Sequence, residues 1–226
     1  MGVHDGHRAR LRDQFREHGL DSFNELNTLE LILFYAIPRR DTNEIAHALL
    51  DHFGSLPAVL EASEQELCAV PGVGTQAATL IRLFPQVMRK SACVKASSIK
   101  AIKSTKDAAQ YLIPRFINEQ EEVVLLLCMD TQNRIISCVE VGRGVVNASE
   151  TSIRRIVETA LKNRATSVIL SHNHPDGLPY PSVEDDMVTR QVYQSLAMVG
   201  ITLSDHIIVA GDKFASFKAT GMLGRF

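Results

Sequence analysis

The sequence predicts an α/β (α+β) fold in two parts, an all-helical N-terminal domain and a C-terminal domain whose mixed sheet is flanked by helices. Up to about residue 90, apolar residues recur at helical spacing. The stretch 91–104, SACVKASSIKAIKS, is small, polar and basic and has no strong period, which indicates a linker. Beyond it, apolar runs typical of strands alternate with helical segments. We therefore predict a helical domain at 1–90, a linker at 91–104 and a sheet-containing domain at 105–226.

Apolar spacing predicts two helices near the start of the chain, a basic amphipathic one at 8–18 and an apolar one at 26–36. A third helix follows, which Asp41 or Thr42 can cap and which stops at Gly54. Two more helices flank the segment VPGVGTQ. This half of the chain is therefore predicted to be all-helical.

Two glycines in that segment, Gly72 and Gly74, surround Val73 and predict a tight turn at the N-terminus of a helix. Backbone N–H groups open at such a turn, which suits a phosphate group. A glycine turn between helices is equally a plain packing solution. Residues 1–97 carry ten Lys and Arg against twelve Asp and Glu, so the charge of this half does not favour DNA. Contact of these three residues with DNA and a structural or protein-docking role both stay open.

In the second domain, the uninterrupted apolar run VVLLLCM predicts a buried strand. The predicted order is a helix at 105–116, strands at 123–129 and 135–141, a helix at 149–163, a strand at 167–170, a helix at 182–199, and strands at 203–209 and 214–217. Strands and helices in such a mixed order predict a sheet covered by helices.

The composition is that of a folded protein: 45% of the residues are hydrophobic, 22% are charged and the formal net charge is -2. No global positive potential would draw such a chain to nucleic acid or to anionic lipid, so any such contact must be local. The four cysteines form no Cys-x-x-Cys pair, which indicates reduced thiols. No apolar run approaches the length of a membrane span. We expect a cytoplasmic protein that makes no membrane contact.

The segment SHNHPDGLPYPSVEDD, at 171–186, carries the most chemistry. His172 and His174 stand two residues apart at the end of a strand, so both imidazoles can face one ion. Catalytic zinc usually takes three protein ligands. Asp185, in the first turn of the next helix, would supply the third if the loop returns that helix to the histidines. The competing interpretation is a capping box, in which Ser182 and Asp185 only stabilise the helix start.

Together these residues resemble a known family. His-x-His, seven residues, Ser, two residues and Asp form the signature of the JAB/JAMM (MPN+) metalloprotease fold. The strings SHNHPDGLPYPS and LSDHIIVAGDKFASF look like the RadC branch of that fold, and the resemblance runs from about residue 105 to 226. HFGSLPAVLEAS and VPGVGTQAA resemble the helical region of RadC proteins, which is of the helix-hairpin-helix type. The resemblance implies a cytidine-deaminase-like mixed sheet in the C-terminal domain.

The resemblance also implies a zinc site and a role for each signature residue. His172, His174 and Asp185 would be the Zn²⁺ ligands, and Ser182 would support an oxyanion. The family uses a glutamate on an early strand as the general base, and the register of EEVVLLLCMD favours the second of its glutamates, Glu122. Zinc activates water at neutral pH. The implied reaction is hydrolysis of a peptide or isopeptide bond.

Two positions depart from the RadC pattern. RadC proteins commonly carry His-Pro-Arg-Glu where this chain has Ser-Ile-Arg-Arg at 152–155, and serine where it has Asp176. Neither position belongs to the signature, so the departures bear on substrate recognition and leave the metal assignment unchanged. Asp205 and His206 lie in a buried strand, where either one is a candidate to hold a zinc-bound histidine; the alternative is a polar strand end.

Two other functions stay open at this point. The same zinc could attack a phosphodiester, with the helical half delivering DNA to a nuclease site. The protein could also be a non-catalytic accessory in DNA repair or recombination whose zinc is structural. The presence of three ligands, a candidate base and a candidate serine argues against the accessory role. Between the two enzymes, the serine favours acyl chemistry and the helical module favours nucleic acid.

Overall fold

The structure is a computed structural model that describes residues 3–144, 150–175 and 177–226, with residues 3–5 and 150–152 described by their backbone alone. The chain divides into two compact units, Met1–Met88 and Arg89–Phe226. The first is helical, and the second contains a five-stranded mixed sheet with helices. The predicted mixed α/β class is confirmed.

Helices form the first unit, and local sequence signals set where they begin and end. They are α1 (Val3–His18), α2 (Glu25–Ala36), α3 (Asn43–Phe53), α4 (Leu56–Glu61), α5 (Glu64–Ala69) and α6 (Thr75–Ala96), which starts in this unit. The Asn24 side chain accepts the N–H of Asn27 at 2.8 Å and so caps α2. Ser63 and Glu66 form a reciprocal capping box at α5. α3 ends at Gly54, whose φ of 83° few other residues adopt.

The apolar faces of these helices pack into one core. Its buried members include Leu29, Leu33, Ile45, Leu49, Val59, Leu67, Val73 and Ile81. Leu11 of α1 packs separately with Leu31 and Phe34 of α2. Each fully buried Leu or Ile side chain contributes about 1.5–3 kcal/mol. Because helices of this length are marginal in isolation, this burial is what stabilises them.

The sheet of the second unit has the strand order β2-β1-β3-β4-β5. Its strands are β1 (Val123–Met129), β2 (Ile135–Arg143), β3 (Ser167–Asn173), β4 (Thr202–Ala210) and β5 (Lys213–Ser216). β3 runs antiparallel to β1 and parallel to β4, and the other neighbouring pairs are antiparallel. β3 is therefore central, and it extends past the predicted end at Leu170 to include His172.

Helices cover both faces of this sheet. They are α7 (Thr105–Leu112), α8 (Glu150–Lys162) and α9 (Val183–Met198), with short 3₁₀ turns at Ile113–Phe116 and Leu223–Arg225. Alternate residues of β1 face different cores: Leu126 and Cys128 pack with α8 and α9, whereas Leu125 and Leu127 pack with α7. The predicted start of α8 at Ser149 lies outside the described residues. Of the helices that the described residues form, none has both the length and the apolarity needed to span a bilayer.

The stretch 91–104, predicted to be a linker, begins as a helix. α6 continues to Ala96, so the boundary between the two units falls within a helix. Further on, Ala101 pairs with Arg134 and the side chain of Ile102 is buried. The sequence does not reveal the helical part of this stretch, because alanine and lysine favour a helix without producing a strong apolar period.

Candidate metal centre

The end of β3 places two histidines next to each other. His172 is buried near the end of the strand, and His174 directly follows its last residue, Asn173. The backbone N–H of His174 donates to the carbonyl of Val209 at 2.8 Å, which extends the pairing with β4. The centroids of the two imidazole rings lie 4.9 Å apart. Because extended backbone directs side chains at i and i+2 to one side, both rings face the same space.

The start of α9 brings a carboxylate to this space. Ser182 is the N-cap, and its Oγ accepts the N–H of Asp185 at 3.0 Å. In return, Asp185 Oδ2 accepts the N–H and the O–H of Ser182, each at 2.8 Å. This is the capping box that the sequence offers as the alternative to a metal site. The same box fixes the carboxylate and leaves Asp185 Oδ1 directed toward His172.

Three donor atoms meet at this point. His172, His174 and Asp185 each offer one ligand atom, and these atoms lie within 4.8 Å of one another. The two Nε2 atoms are 3.0 Å apart, and Asp185 approaches His172 Nε2 at 3.1 Å and His174 Nε2 at 3.7 Å. Two imidazoles with one carboxylate are a donor set that zinc takes, with a further position left for water or substrate. The residues present therefore fit a zinc ion.

The outer nitrogen of each imidazole has a partner. His174 Nδ1 lies 2.9 Å from the carbonyl oxygen of Leu178, which can only accept, so Nδ1 carries the proton and Nε2 keeps its lone pair. His172 Nδ1 lies 2.9 Å from His206 Nε2. His206 in turn contacts Thr189 Oγ1 through Nδ1 at 2.6 Å. The sequence offered Asp205 and His206 as candidates to hold a zinc-bound histidine. Of these two, His206 makes the contact, with His172.

Burial and charge shift the pKa values of two groups here. Burial alone would raise the pKa of Asp185, but the hydrogen bonds from His172 and Ser182 outweigh it and hold that pKa well below its ordinary range. Full burial lowers the pKa of His206 well below its ordinary value, and the neighbouring His172 adds to the effect. The carboxylate of Asp185 is thus ionised near pH 7, as metal binding requires, and the imidazole of His206 is neutral.

Asp205 faces away from the histidine pair. Its carboxylate accepts the backbone N–H of His206 at 2.8 Å, the hydroxyl of Ser216 at 2.7 Å and the N–H of Lys218 at 3.0 Å. Neighbours on a strand alternate between faces, so only one of the pair 205–206 can reach the metal side. The prediction that Asp205 could hold a metal-site histidine is not supported; this residue instead connects β4 to β5 and the turn after it.

Glu122 directly precedes β1 and is half-buried. Val124 pairs with His172 across the antiparallel strands, so the register places Glu122 opposite His174. Side chains two apart share a face, and Val124 packs into the core under α8 and α9 with β3 residue Leu170. Glu122 does not belong to the group of three donors. A general base that takes a proton from water must lie on the same face of the sheet as the three donors, but it need not be a ligand itself.

Asn173 is a residue that the sequence did not single out. It is buried, and its Oδ1 accepts the N–H of Val123 at 2.7 Å while its Nδ2 donates to the carbonyl of Glu121 at 3.0 Å. These two bonds hold the backbone on either side of Glu122. The only signal for it is its place between the two histidines, where its side chain must point to the opposite face.

The glycine turn of the helical unit contains the three residues predicted to contact DNA, Gly72, Val73 and Gly74. Gly72 has φ 91° and Gly74 directly precedes α6. Val73, however, is buried, and its N–H donates to the carbonyl of Val70 at 3.1 Å. This N–H is therefore used within the turn, and contact of Val73 with DNA stays a prediction.

The departures at 152–155 lie on α8. Arg154 pairs with Glu158 at 2.8 Å, and Arg155 donates to the carbonyl of Glu140 at 3.4 Å. Both arginines therefore have partners within the second unit. The side chain of Ser152 and all of Asp176 lie outside the described residues.

Comparison with known proteins assigns both halves of the chain. The family model described as a RadC-like JAB domain matches residues 102–222, and the model of a helix-hairpin-helix motif matches residues 42–94. A relative from Saccharophagus degradans, named a UPF0758 protein, is 29% identical over 214 residues, which cover 95% of this chain and 96% of the relative. The JAB match alone spans more than half of the chain. On these grounds the chain belongs to the family of proteins with a RadC-like JAB domain.

Proposed function

We propose that this protein is a zinc-dependent hydrolase that cleaves a peptide or isopeptide bond. One observation carries the proposal: three donor atoms from two separate elements, the end of β3 and the start of α9, converge within 4.8 Å. JAB domains are generally metal-dependent, and the donor set of two imidazoles and one carboxylate suits zinc. When bound, zinc supplies a Lewis acid that lowers the pKa of water to about 7 and polarises a carbonyl group.

Glu122 is proposed as the general base. Its register position opposite His174 puts it on the face of the sheet that carries the site. There it would take a proton from the attacking water and pass it to the leaving amine, a contribution of about 10²–10⁴-fold in typical enzymes. The two hydrogen bonds of Asn173 to the flanking backbone hold the glutamate in place.

Ser182 is proposed to donate to the developing oxyanion. Its hydroxyl donates to Asp185 Oδ2 at 2.8 Å, and its oxygen accepts the N–H of Asp185 at 3.0 Å. The second bond keeps the oxygen fixed while the hydrogen turns from the carboxylate to the substrate. Loss of one such donor costs about 10²–10³ in rate in enzymes where it has been measured.

A second candidate function uses DNA. The match to a helix-hairpin-helix motif at 42–94 favours contact between the helical unit and a DNA backbone, and the substrate would then be a phosphodiester or the protein a repair accessory. Gly72, Val73 and Gly74 of the turn before α6 are the proposed contacts. The four cysteines are free, which fits the cytoplasmic location that we propose for either function.

Metal analysis is the first experiment. Wild type purified without chelator is expected to carry about one zinc per chain by mass spectrometry. His174→Ala and Asp185→Ala are expected to lose it, whereas His47→Ala and Asp186→Ala, which change the same residue types outside the donor set, should retain it. An empty wild type that stays empty when offered zinc would contradict the proposal.

Substrate screening then separates the two candidate functions. Zinc-loaded wild type and Glu122→Gln are compared on peptides, isopeptide-linked conjugates and DNA. The glutamine keeps the size of the side chain but cannot act as a base, so cleavage should fall by about 10²–10⁴-fold while zinc stays bound. Cleavage of DNA with no cleavage of any peptide would select the second candidate.

A further inference from the structure

Buried side chains form a hydrogen-bonded chain that begins at His172 and ends inside α9. His172 Nδ1 lies 2.9 Å from His206 Nε2, and His206 Nδ1 lies 2.6 Å from Thr189 Oγ1. The Thr189 hydroxyl also reaches the backbone carbonyl of Asp185. These three side chains are each at most 4% exposed, and Phe217 stacks on His206 with centroids 4.8 Å apart. Such packed rings cannot turn away to find other partners.

The hydrogen bonds among His172, His206 and Thr189 can point in either of two directions, because each neutral imidazole carries one proton. In the inward direction, Thr189 donates to His206, His206 donates to His172, and the proton of His172 is on Nε2. In the outward direction, His172 donates to His206, His206 donates to Thr189, and Thr189 donates to the carbonyl of Asp185. The Thr189 hydroxyl permits both directions because it can donate and accept a hydrogen bond.

The surroundings of His172 Nε2 select the direction. It faces His174 Nε2 at 3.0 Å and Asp185 Oδ1 at 3.1 Å. Both atoms accept, since His174 carries its proton on Nδ1, opposite Leu178. A proton on His172 Nε2 satisfies them when no cation is bound, which gives the inward direction. A cation among the three atoms needs the lone pair of His172 Nε2, which only the outward direction provides.

We propose that Thr189 and His206 form a reversible hydrogen-bond relay whose direction is set by the metal, with Thr189 as the positioning residue that lets His172 become a ligand. Both directions keep one proton on each of the three side chains, so the change redistributes protons by exchange with water and alters no net charge. The inference rests on the proposed zinc site for its cation.

The tautomers of His172 and His206 test the relay. In ¹⁵N-labelled full-length protein, NMR should find the proton of both imidazoles on Nε2 after chelator treatment and on Nδ1 after addition of zinc. Thr189→Val removes the acceptor for His206 Nδ1–H, so zinc affinity, measured by competition with a chromophoric chelator, should fall about 10–100-fold. Thr189→Ser keeps the hydroxyl and should restore both the affinity and the tautomer change.

A matched control is Thr28→Val in α2, which removes the same kind of hydroxyl-to-carbonyl bond, from Thr28 to Asn24 at 2.9 Å, away from any histidine pair. Zinc bound to wild type with unchanged tautomers overturns the relay and leaves the zinc site standing. Wild-type affinity in a folded Thr189→Val overturns the relay as well. No binding of zinc by wild type overturns the proposed function and the relay together. The wild-type spectra decide the matter if Thr189→Val does not fold.

Discussion

At the scale of single residues, Asp185 serves the helix and the site at once. Its Oδ2 completes the capping box with Ser182, while its Oδ1 faces His172 at 3.1 Å. A cap contributes about 0.5–2 kcal/mol to a helix start. The cap and the metal ligand are therefore one arrangement: the hydrogen bonds that cap α9 also fix the carboxylate that a metal would bind.

Asn173 gives a prediction at the same scale. Asn173→Ala leaves the buried N–H of Val123 without its acceptor, and a buried group left unpaired costs about 1–3 kcal/mol. We expect a loss of that size in the free energy of unfolding, measured by denaturant titration, with zinc content unchanged. The amide of Val123 should exchange faster with solvent, since the bond at 2.7 Å is gone. Unchanged stability and exchange would show that the side chain does not hold this backbone.

The sequence predicts the donor residues and names His206 as a candidate to hold one of them, but it does not single out Asn173 or Thr189. His172, His174 and Asp185 lie within one short segment whose spacing is informative. Asn173 instead bonds to a backbone segment 50 residues away, and Thr189 bonds to a histidine 17 residues away. Such partners depend on strand register and helix rotation, which follow from the packing of the whole unit and not from local spacing.

At the scale of elements, the same division holds. β1 is a continuous apolar run and its observed bounds coincide with the predicted ones, because burial on both faces leaves a strong signal. β3 is longer than predicted, since the polar residues 171–173 are buried and pair with β4, and residues 171 and 172 also pair with β1. The stretch 91–104 looked unstructured because helix and strand ends made of small polar residues carry little periodicity.

The turn before α6 gives a prediction about elements. A Cβ added at Gly72 would lie 2.9 Å from Cγ1 of Ile45, and the φ of 91° is strained for any L side chain. Gly72→Ala should therefore destabilise the helical unit by about 1–3 kcal/mol. Gly74→Ala is the matched control, because its Cβ meets no atom within 4 Å and no positive φ applies. Thermal unfolding of both variants checks the difference, and equal losses would contradict a special role for Gly72.

At the scale of the whole molecule, the sheet separates two environments, and two adjoining residues of β4 face different ones. His206 reaches the metal side, and Asp205 lines a pocket with α7 residues Thr105 and Ala108 on the other. One strand thus supplies a metal-site contact on one face and a buried carboxylate on the other. The alternation of a strand between faces was predictable, whereas which of the two residues faces the site required the register with β3.

The buried carboxylate of Asp205 predicts how the stability of the protein depends on pH. Burial raises its pKa above the ordinary value, although the bonds from Ser216 and from the backbone of Lys218 and His206 oppose this. In the unfolded chain an aspartate ionises at about pH 3.9. As the pH rises through this value and up to the folded pKa, the folded state binds more protons than the unfolded state, so this residue lowers stability progressively.

Asp205→Asn removes that titration with little change in shape. Its Oδ1 still accepts the two backbone N–H groups, and its NH₂ can donate to the hydroxyl of Ser216. The free energy of unfolding of the variant minus that of wild type should therefore increase as the pH rises from 3 through the folded pKa, and then level off. Urea titrations across this range measure it, with the exposed Asp212→Asn as the control for loss of one carboxylate. A difference that stays constant with pH would mean that Asp205 ionises as easily in the folded protein as in the unfolded chain, and that burial does not govern its charge.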